Sequence, residues 1–349
     1  MKLAARFLSV LVAGVVLYLH TGAARAQSAC GPTGTPSSVS LPQFAGTLTA
    51  GNLSTAGGTS NYLYVVTQWG FARGSLSNPS SPGNFSQVVI ADEPGSGNGG
   101  LIQLSCDCHQ GGTAFAAAEA PDGSARMISD FNASKQAGTI LAPSEAGRAD
   151  AGGGVKFGQQ VKIANGSDGT FPLGGKIAAI YLAGPGKFFG YVPTPNGVAV
   201  IDLTNTNGQT VKSAALTPVS ILGWAPSSAA RVAAFKVTYG GSDLYLLAGS
   251  IDGAVRLATI NPTTGIPSES ASVAASATPK SLAVAAVNGR IFVFSAEGTG
   301  GLHVYEYVPS QFSGTLTPVA TSIPGNFDRV MVRGSQRARP RSRSTTRSG

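Results

Sequence analysis

The sequence lacks the patterns that identify a known chemistry. It has no Walker phosphate-binding loop, no dinucleotide fingerprint after a strand and no Gly-x-Ser-x-Gly elbow. Two Asp-Gly turns, in "APDGSA" (120–125) and "NGSDGT" (165–170), lack the alternating acidic ligands and the distal Glu of an EF-hand-like loop. The residues therefore specify no reaction by motif, and the sequence is informative about location and architecture instead.

Long hydrophobic runs are scarce. The run Phe7–Leu19 has 13 residues, whereas a helix needs roughly 20 to span a bilayer. It follows Lys2 and Arg6 and precedes the small-x-small site Ala24-Arg25-Ala26. This order predicts a signal peptide over residues 1–26 and a secreted protein, extracellular or periplasmic, with no membrane span.

Charge of one sign is concentrated at the two ends. The chain has 24 basic and 16 acidic residues, of which residues 1–26 hold three basic and 333–349 hold six, with no acids in either. Removing these nine leaves 15 basic against 16 acidic residues over 27–332. We therefore expect no nucleic-acid partner for the folded domain. The Arg-rich tail is predicted to be disordered, and a truncated or frame-shifted end is the interpretation we favour over a genuine basic tail.

Only three cysteines occur, Cys30, Cys106 and Cys108. In an oxidising compartment Cys30 is expected to pair with Cys106 or Cys108, leaving one odd thiol. Cys106, Cys108 and His109 could alternatively supply three ligands to zinc or copper, but no second cluster completes such a site. We favour the disulfide and predict no metal and no cofactor.

One pattern repeats along the chain. "FFGYVPTPNGVAVIDLTNTNG" from Phe188, "LYLLAGSIDGAVRLATINPTTG" from Leu244 and "IFVFSAEGTGGLHVYEYVPSQFSG" from Ile291 each contain a strand, a turn ending in Gly and a second strand. The units start 56 and 47 residues apart. Weaker copies start at Leu63 and Ala114, and residues 139–175 are an inserted loop or a degenerate blade.

A further apolar strand precedes most units, and a fourth follows the closing Gly. Four strands at a period near 50 are typical of a β-propeller blade. The sequence predicts an all-β propeller of four-stranded antiparallel blades over 27–332, with about five recognisable blades and a partial one at "FDRVMV". An incomplete seven-bladed ring would fit this number. A β-sandwich is the rival fold, but it does not predict the spacing.

The repeat units also resemble a known family. "GYVPTPNGVAVIDLTNTNGQTV" is similar to the YVTN repeat of secreted surface propellers, and "GLHVYEYVPSQFSGTLTPV" to lactonase-like seven-bladed propellers. The resemblance is best over residues 176–320. It implies a blade and not a reaction, since the same blades serve binders, scaffolds and enzymes.

Propeller geometry predicts where a partner binds. Loops between the second and third strands of every blade open on one face, around the axis, and form a shallow mouth. The residues expected there are Gln68, Trp69, Glu119, Asp122, Thr194, Asn196, Ser250, Asp252 and Glu297. The binding candidates among them are Trp69, Glu119, Asn196, Asp252 and Glu297. His303 is expected at a surface or edge.

Three functions are compatible with these features. The first is a secreted, non-enzymatic propeller that binds a protein, peptide or glycan or serves as a cell-surface module. The second is a lactonase-like or other hydrolytic propeller that uses Glu119, Asp252 or Glu297 at the mouth. The third is a metal or redox protein based on Cys106, Cys108 and His109. The lack of a catalytic set favours the first, although the sequence leaves open whether the protein is an enzyme.

Overall fold

A computed structural model of the 349-residue chain gives its fold. It describes residues 48–49, 62–67, 70–75, 86–89 (these four as backbone only), 115–129, 144–149, 155–161, 177–194, 196–207, 216–224, 231–310, 313–319 and 322–330. The predicted signal peptide, the Arg-rich tail, the three cysteines and His109 lie outside these residues. No helix long and apolar enough to span a membrane is found among the residues described.

The described residues contain five antiparallel sheets of four strands. The first sheet consists of β1 (Leu48–Thr49), β2 (Tyr62–Thr67), β3 (Gly70–Ser75) and β4 (Ser86–Val89). The second consists of β5 (Phe115–Glu119), β6 (Ala125–Ser129), β7 (Ser144–Ala149) and β8 (Val155–Val161). The third consists of β9 (Ala178–Leu182), β10 (Lys187–Thr194), β11 (Gly197–Asp202) and β12 (Pro218–Leu222). The fourth consists of β13 (Arg231–Tyr239), β14 (Ser242–Ile251), β15 (Ala254–Ile260) and β16 (Pro267–Ala274). The fifth consists of β17 (Ser281–Val287), β18 (Arg290–Ala296), β19 (Leu302–Val308) and β20 (Thr315–Pro318).

The sheets are arranged as the blades of a β-propeller. Within each sheet the strands lie in chain order, so each is a simple meander. The first strands of consecutive sheets, β1, β5, β9, β13 and β17, contact one another in sequence and form the inner edges of the blades. The predicted fold class is therefore confirmed, with five four-stranded blades in the part of the chain that is described.

Tight turns explain why the glycines recur at fixed places. The β14–β15 turn holds Asp252 at a φ of 50° and Gly253 at 73°, and the β17–β18 turn holds Asn288 at 51° and Gly289 at 74°. Two successive residues with positive φ are what a type I′ hairpin turn requires, and Asn-Gly and Asp-Gly adopt it most readily. The predicted hairpins thus follow from local backbone chemistry.

The second strand of each central blade is apolar on both faces. In β14, Tyr245 and Leu247 pack in a cluster with residues of the third blade, whereas Leu246 and Ala248 pack in a cluster with residues of the fifth. Consecutive side chains of a strand point to opposite faces, so a sheet stacked between two others buries both sets. This accounts for the unbroken run "LYLLA".

The second blade differs from the prediction. The unit from Ala114 was predicted to supply the second and third strands, but β5 and β6 are the first and second. The third and fourth strands, β7 and β8, come from residues 139–175, which were interpreted as a loop or degenerate blade. The reason is packing, because the fully buried Ala116, Ala117 and Ala118 occupy the crowded inner edge against β9.

After β20 the chain returns to the fifth blade. Ile323 forms an antiparallel bridge with Leu302, and Phe327 forms one with Gly298. Lys280 Nζ lies 2.6 Å from Asp328 Oδ1. The described part of "FDRVMV", up to residue 330, is therefore attached to blade five by isolated bridges and forms no strand of a further sheet.

Candidate functional site

The antiparallel blades have two ends with different connections. One end, the mouth end, carries the turns between second and third strands and the connections between blades. The opposite end carries the turns between first and second strands and between third and fourth strands. Side chains from different blades converge at both ends, so each can hold a site.

Three of the five binding candidates lie at the mouth end. Asn196 is exposed in the β10–β11 turn, Asp252 is exposed in the β14–β15 turn, and Glu297 follows β18. Glu297 is only 2% exposed, so its carboxylate faces the protein and not an open mouth. Trp69, predicted for the same surface, lies outside the described residues.

Glu119 does not join this group. It ends β5, which is the first strand of its blade, and the β5–β6 turn belongs to the opposite end. Its side chain is fully buried. The prediction was wrong because it treated β5 as a second strand, which reverses the end of the blade at which the following turn lies. Asp122 lies in the same turn, and so it is also found at the opposite end from the one predicted.

The Glu297 carboxylate anchors a network between blades four and five. Its Oε1 accepts hydrogen bonds from the Ser295 hydroxyl at 2.9 Å and the Tyr305 hydroxyl at 3.4 Å. Its Oε2 accepts from the Ala277 amide at 2.9 Å and the Ser276 hydroxyl at 3.1 Å. Residues 276 and 277 belong to the connection from β16 to β17, so this carboxylate fastens that connection to the β18–β19 hairpin.

Tyr305 is adapted to the donor role. Burial, and then the negative charge of Glu297 and the hydrogen bond to it, raises the pKa of Tyr305 to about 12. The phenol therefore keeps its proton over the physiological range and continues to donate to the carboxylate.

His303 completes the network. Its Nε2 lies 2.9 Å from Ser276 Oγ, 3.0 Å from the Gly300 carbonyl oxygen and 3.6 Å from Glu297 Oε2. A ring nitrogen that faces a carbonyl and a carboxylate acts as a proton donor. His303 was predicted at a surface or edge, but it is partly buried within this cluster. The register of the β18–β19 hairpin could have located it. In that register His303 pairs with Ser295, which lies two residues before Glu297.

The cluster contains a serine, a histidine and a carboxylate but does not have the geometry of a hydrolytic triad. In a triad one imidazole nitrogen accepts the serine proton and the acid orients the other. Here Glu297 approaches the nitrogen that also faces Ser276, and the Ser276 hydroxyl donates to Glu297 itself. Within the described residues Nδ1 has no acid partner, and it lies 3.4 Å from Ser276 Oγ. The arrangement suits structural fastening better than proton abstraction.

A second group of polar side chains lines a cleft at the opposite end, between blades two and three. This inter-blade cleft has a volume of about 480 Å³ and is lined by Ala120, Pro121, Asp122, Ser124, Arg126, Tyr181, Gly186, Phe188 and Thr204. It was not predicted, because it depends on which turns of neighbouring blades meet.

Arg126 is fixed in the wall of the inter-blade cleft. Its guanidinium carbon lies 5.0 Å from the centre of the Phe188 ring, a cation–π distance. Its Nε donates to the Thr204 carbonyl oxygen at 3.2 Å, and its Nη1 donates to the carbonyl of Ala125 at 2.9 Å. The Tyr181 ring lies 4.8 Å from that of Phe188, tilted by 47°.

Asp122 contributes the opposite charge. One carboxylate oxygen, Oδ1, accepts from the Ser124 hydroxyl at 2.7 Å and the Ser124 amide at 2.9 Å. These hydrogen bonds, with a smaller contribution from the charge of Arg126, hold the pKa of Asp122 below its ordinary value. The carboxylate is therefore ionised at neutral pH. In the described part of the chain no group of three or more His, Cys, Asp or Glu residues could hold a metal ion.

Comparison with known proteins finds similar solved structures at low identity. No family model and no curated protein matches it. The SapL1 lectin in complex with α-methyl fucoside matches with a TM-score of 0.46 and 14% identity, over 78% of this chain and 79% of the lectin. A candidate 6-phosphogluconolactonase from Bacteroides fragilis matches with a TM-score of 0.46 and 13% identity, over 78% and 70%. AofleA from Arthrobotrys oligospora matches with a TM-score of 0.43 and 12% identity, over 78% and 72%.

These neighbours include a lectin and a candidate 6-phosphogluconolactonase. The similarity of the repeat units to YVTN propellers is not confirmed, since no family model matches. With identities of 14% or less and TM-scores below 0.5, these likenesses carry no argument about this chain, and its function has to be argued from its own residues.

Proposed function

We propose that the protein is a non-enzymatic binding module with a β-propeller scaffold. The observation that carries this proposal is the state of Glu297. Both of its oxygens accept two hydrogen bonds from the protein itself, so the best-placed acid of the mouth end has a structural task. The inter-blade cleft is open to solvent and presents one positive and one negative side chain beside aromatic rings, which suits recognition.

Export is part of the same proposal. The predicted signal peptide over residues 1–26 is the feature that supports it, and a protein, peptide or glycan outside the cytoplasm is the partner class that we propose.

The test measures binding and turnover on the same preparation of the full chain. Binding is screened on arrays of glycans and peptides, and turnover is screened on a panel of lactones and esters. We expect saturable binding to at least one ligand and no turnover above buffer. The proposal fails if the protein hydrolyses a panel compound faster than buffer and a substitution in the protein lowers that rate.

One observation favours a hydrolase as the second candidate. The 2.9 Å contact between Ser276 Oγ and His303 Nε2 has the length of a nucleophile–base hydrogen bond. If this pair is catalytic, Ser276→Ala abolishes turnover, whereas Ser270→Ala does not. Ser270 is a suitable control because its hydroxyl also makes an internal hydrogen bond, to the Leu257 carbonyl at 3.0 Å, but it lies away from His303. Equal effects of the two variants would exclude a nucleophilic role.

A further inference from the structure

We propose that the mouth end binds a doubly charged anionic group, a phosphate monoester or a dicarboxylate, on a basic patch beside the propeller axis. The axial basic patch consists of Arg231, Lys280 and Arg329, together with the carboxylate of Asp328. This inference rests on the proposed function, and it assigns a ligand class to a site that the sequence did not indicate.

The fold brings three separate segments together at the axial basic patch. Arg231 begins β13 and Lys280 directly precedes β17, and these two strands contact each other as the inner edges of blades four and five. First strands start at the mouth end, so both cations lie at that end, next to the axis. The segment that returns after β20 reaches the same place, because the Ser281 hydroxyl donates to the Val330 carbonyl oxygen at 3.3 Å.

The first argument is charge. Lys280 Nζ lies 2.6 Å from Asp328 Oδ1. The hydrogen bond from Lys280, and then the charges of Lys280, Arg231 and Arg329, hold the pKa of Asp328 below its ordinary value. Three cations therefore act on one carboxylate, and the axial basic patch keeps an excess of two positive charges. A dianion neutralises this excess, whereas a monoanion neutralises half of it and a cation is repelled.

The second argument is hydrogen-bond capacity. Arg231 is half-buried, and within the described residues its one acceptor is the Lys280 carbonyl oxygen, to which Nη1 donates. In the same part of the chain the Lys280 ammonium donates to Asp328 alone, and the exposed Arg329 makes no hydrogen bond. A guanidinium has five N–H donors and an ammonium has three. All three cations therefore keep donors for the oxygens of a ligand.

The third argument is the environment of Arg231. Burial lowers the pKa of its guanidinium, and the charge of Asp328 opposes this effect only in part. The positive charge has thus lost hydration without gaining a carboxylate that hydrogen-bonds to it. An oxyanion supplies that partner, because charge-assisted hydrogen bonds from Arg to carboxylate or phosphate are among the strongest in proteins.

Lys280 is also held in place before any ligand arrives. A Cβ at Gly298 would lie 2.9 Å from Lys280 Cε and 3.0 Å from its Nζ. The lysine side chain therefore crosses the β18–β19 turn where that turn has no side chain. Since Arg231 is likewise tied to the Lys280 carbonyl, little side-chain freedom remains to be lost on binding, which favours affinity.

The test measures binding of small anions to the full chain by calorimetry at low ionic strength, where charges are screened least. The probes are glycerol phosphate and succinate as dianions, acetate as a monoanion and glycerol as a neutral compound. The pH is about 8, because a phosphate monoester has a second pKa of about 6 and is then a dianion.

Matched variants separate the axial basic patch from the overall charge of the protein. Lys280→Met is paired with Lys236→Met, and Arg231→Met is paired with Arg290→Met. Lys236 and Arg290 each form an ion pair at the opposite end of the blades, so each control removes the same charge as its partner variant. Unchanged thermal melting shows that each variant is folded.

A change of the opposite sign completes the set. Asp328→Asn removes the carboxylate that occupies one donor of Lys280, so it should tighten the binding of a dianion severalfold. Asp243→Asn changes the overall charge equally, in an ion pair with Lys236 at 2.8 Å, and should leave the binding as it is in the parent.

We expect at least one dianion to bind more tightly than acetate, and glycerol not to bind. Lys280→Met and Arg231→Met should each weaken that binding roughly tenfold, since a hydrogen bond to a charged group is lost, and both controls should bind like the parent. Binding of glycerol phosphate alone identifies the group as a phosphate monoester, and binding of succinate alone identifies it as a dicarboxylate.

The inference is overturned if no dianion binds, if acetate binds as tightly as the dianions, or if the variants and their controls behave alike. Binding of a neutral glycan or a peptide without turnover, unaffected by Lys280→Met and Arg231→Met, refutes the anion site but preserves the proposed function. Turnover that Ser276→Ala abolishes refutes the proposed function itself.

Discussion

Replacing Glu297 tests whether this carboxylate holds the fifth blade together. In Glu297→Ala the fully buried Ser295 hydroxyl and the 3% exposed Tyr305 lose their acceptor. The Ala277 amide and the Ser276 hydroxyl lose theirs as well. A buried donor without a partner costs about 1–3 kcal/mol. Two such donors, together with the lost fastening of the β16–β17 connection, predict a loss of about 3–5 kcal/mol in the free energy of unfolding.

A conservative variant and a distant control make the prediction specific to the Glu297 carboxylate. Glu297→Gln keeps the shape and one acceptor oxygen, and its amide can donate to a hydroxyl, so we expect a loss of only about 1–2 kcal/mol. Glu269→Ala removes an exposed ion pair, in which Glu269 Oε1 lies 3.4 Å from Arg256 Nη1. The side chains of Glu269 and Arg256 are 40% and 30% exposed. Such pairs contribute less than about 1 kcal/mol.

The assay is equilibrium unfolding in urea, followed by intrinsic fluorescence, with midpoints compared at equal slope. Glu297→Ala should give the largest shift, followed by Glu297→Gln and then Glu269→Ala. If Glu297→Ala unfolds within about 1 kcal/mol of the Glu269→Ala control, the carboxylate is no structural anchor. The reasoning against a catalytic role for the Ser276, His303 and Glu297 cluster would then lose its basis.

Two further predictions concern the turns and the surface charge. Gly197→Ala should destabilise the protein by about 3 kcal/mol or more, because Gly197 has a φ of 130° and a Cβ there would overlap the Leu222 carbonyl oxygen. Gly253→Ala, at a φ of 73° with open space around it, should cost only about 1 kcal/mol, and equal thermal shifts for the two would contradict this. The hydrogen bond from Arg290 holds the pKa of Glu306 below its ordinary value, so the stability that this pair contributes is present at neutral pH and lost as the pH falls through that lowered value. The stability difference between the parent and Glu306→Gln should therefore be below about 1 kcal/mol at pH 7 and vanish in acid once Glu306 is protonated, and a difference that persists there would refute the assignment.

Local chemistry made most of the fold predictable. Gly197, Gly253 and Gly301 lie in hairpin turns, and the strands of these hairpins lie where the sequence repeat predicted them. Asn196 and Asp252 were likewise predicted at one end of the blades, because a turn between a second and a third strand always opens there. The second blade was misassigned because its strand run "FAAAE" reads the same whether it is a first or a second strand.

The candidate sites were less predictable because they join distant segments. Ser276 and His303 are 27 residues apart, and they meet only because the connection between two blades runs over the hairpin of the next. Arg126 and Thr204 are 78 residues apart, and their contact exists because blades two and three stack face to face. No pattern of spacing along the chain encodes either distance.

The sequence by itself determined the blade. Glycines that tolerate positive φ, and strands that are apolar on both faces, dictate a four-stranded meander that must be stacked between others. The tertiary structure alone decided which side chains of neighbouring blades meet. It placed Glu297 in a buried network and Glu119 at the other end, and it brought Asp122 and Arg126 to one cleft. The physical reason is that backbone conformation is set by neighbours in sequence, whereas the charge and shape of a site are set by packing between blades.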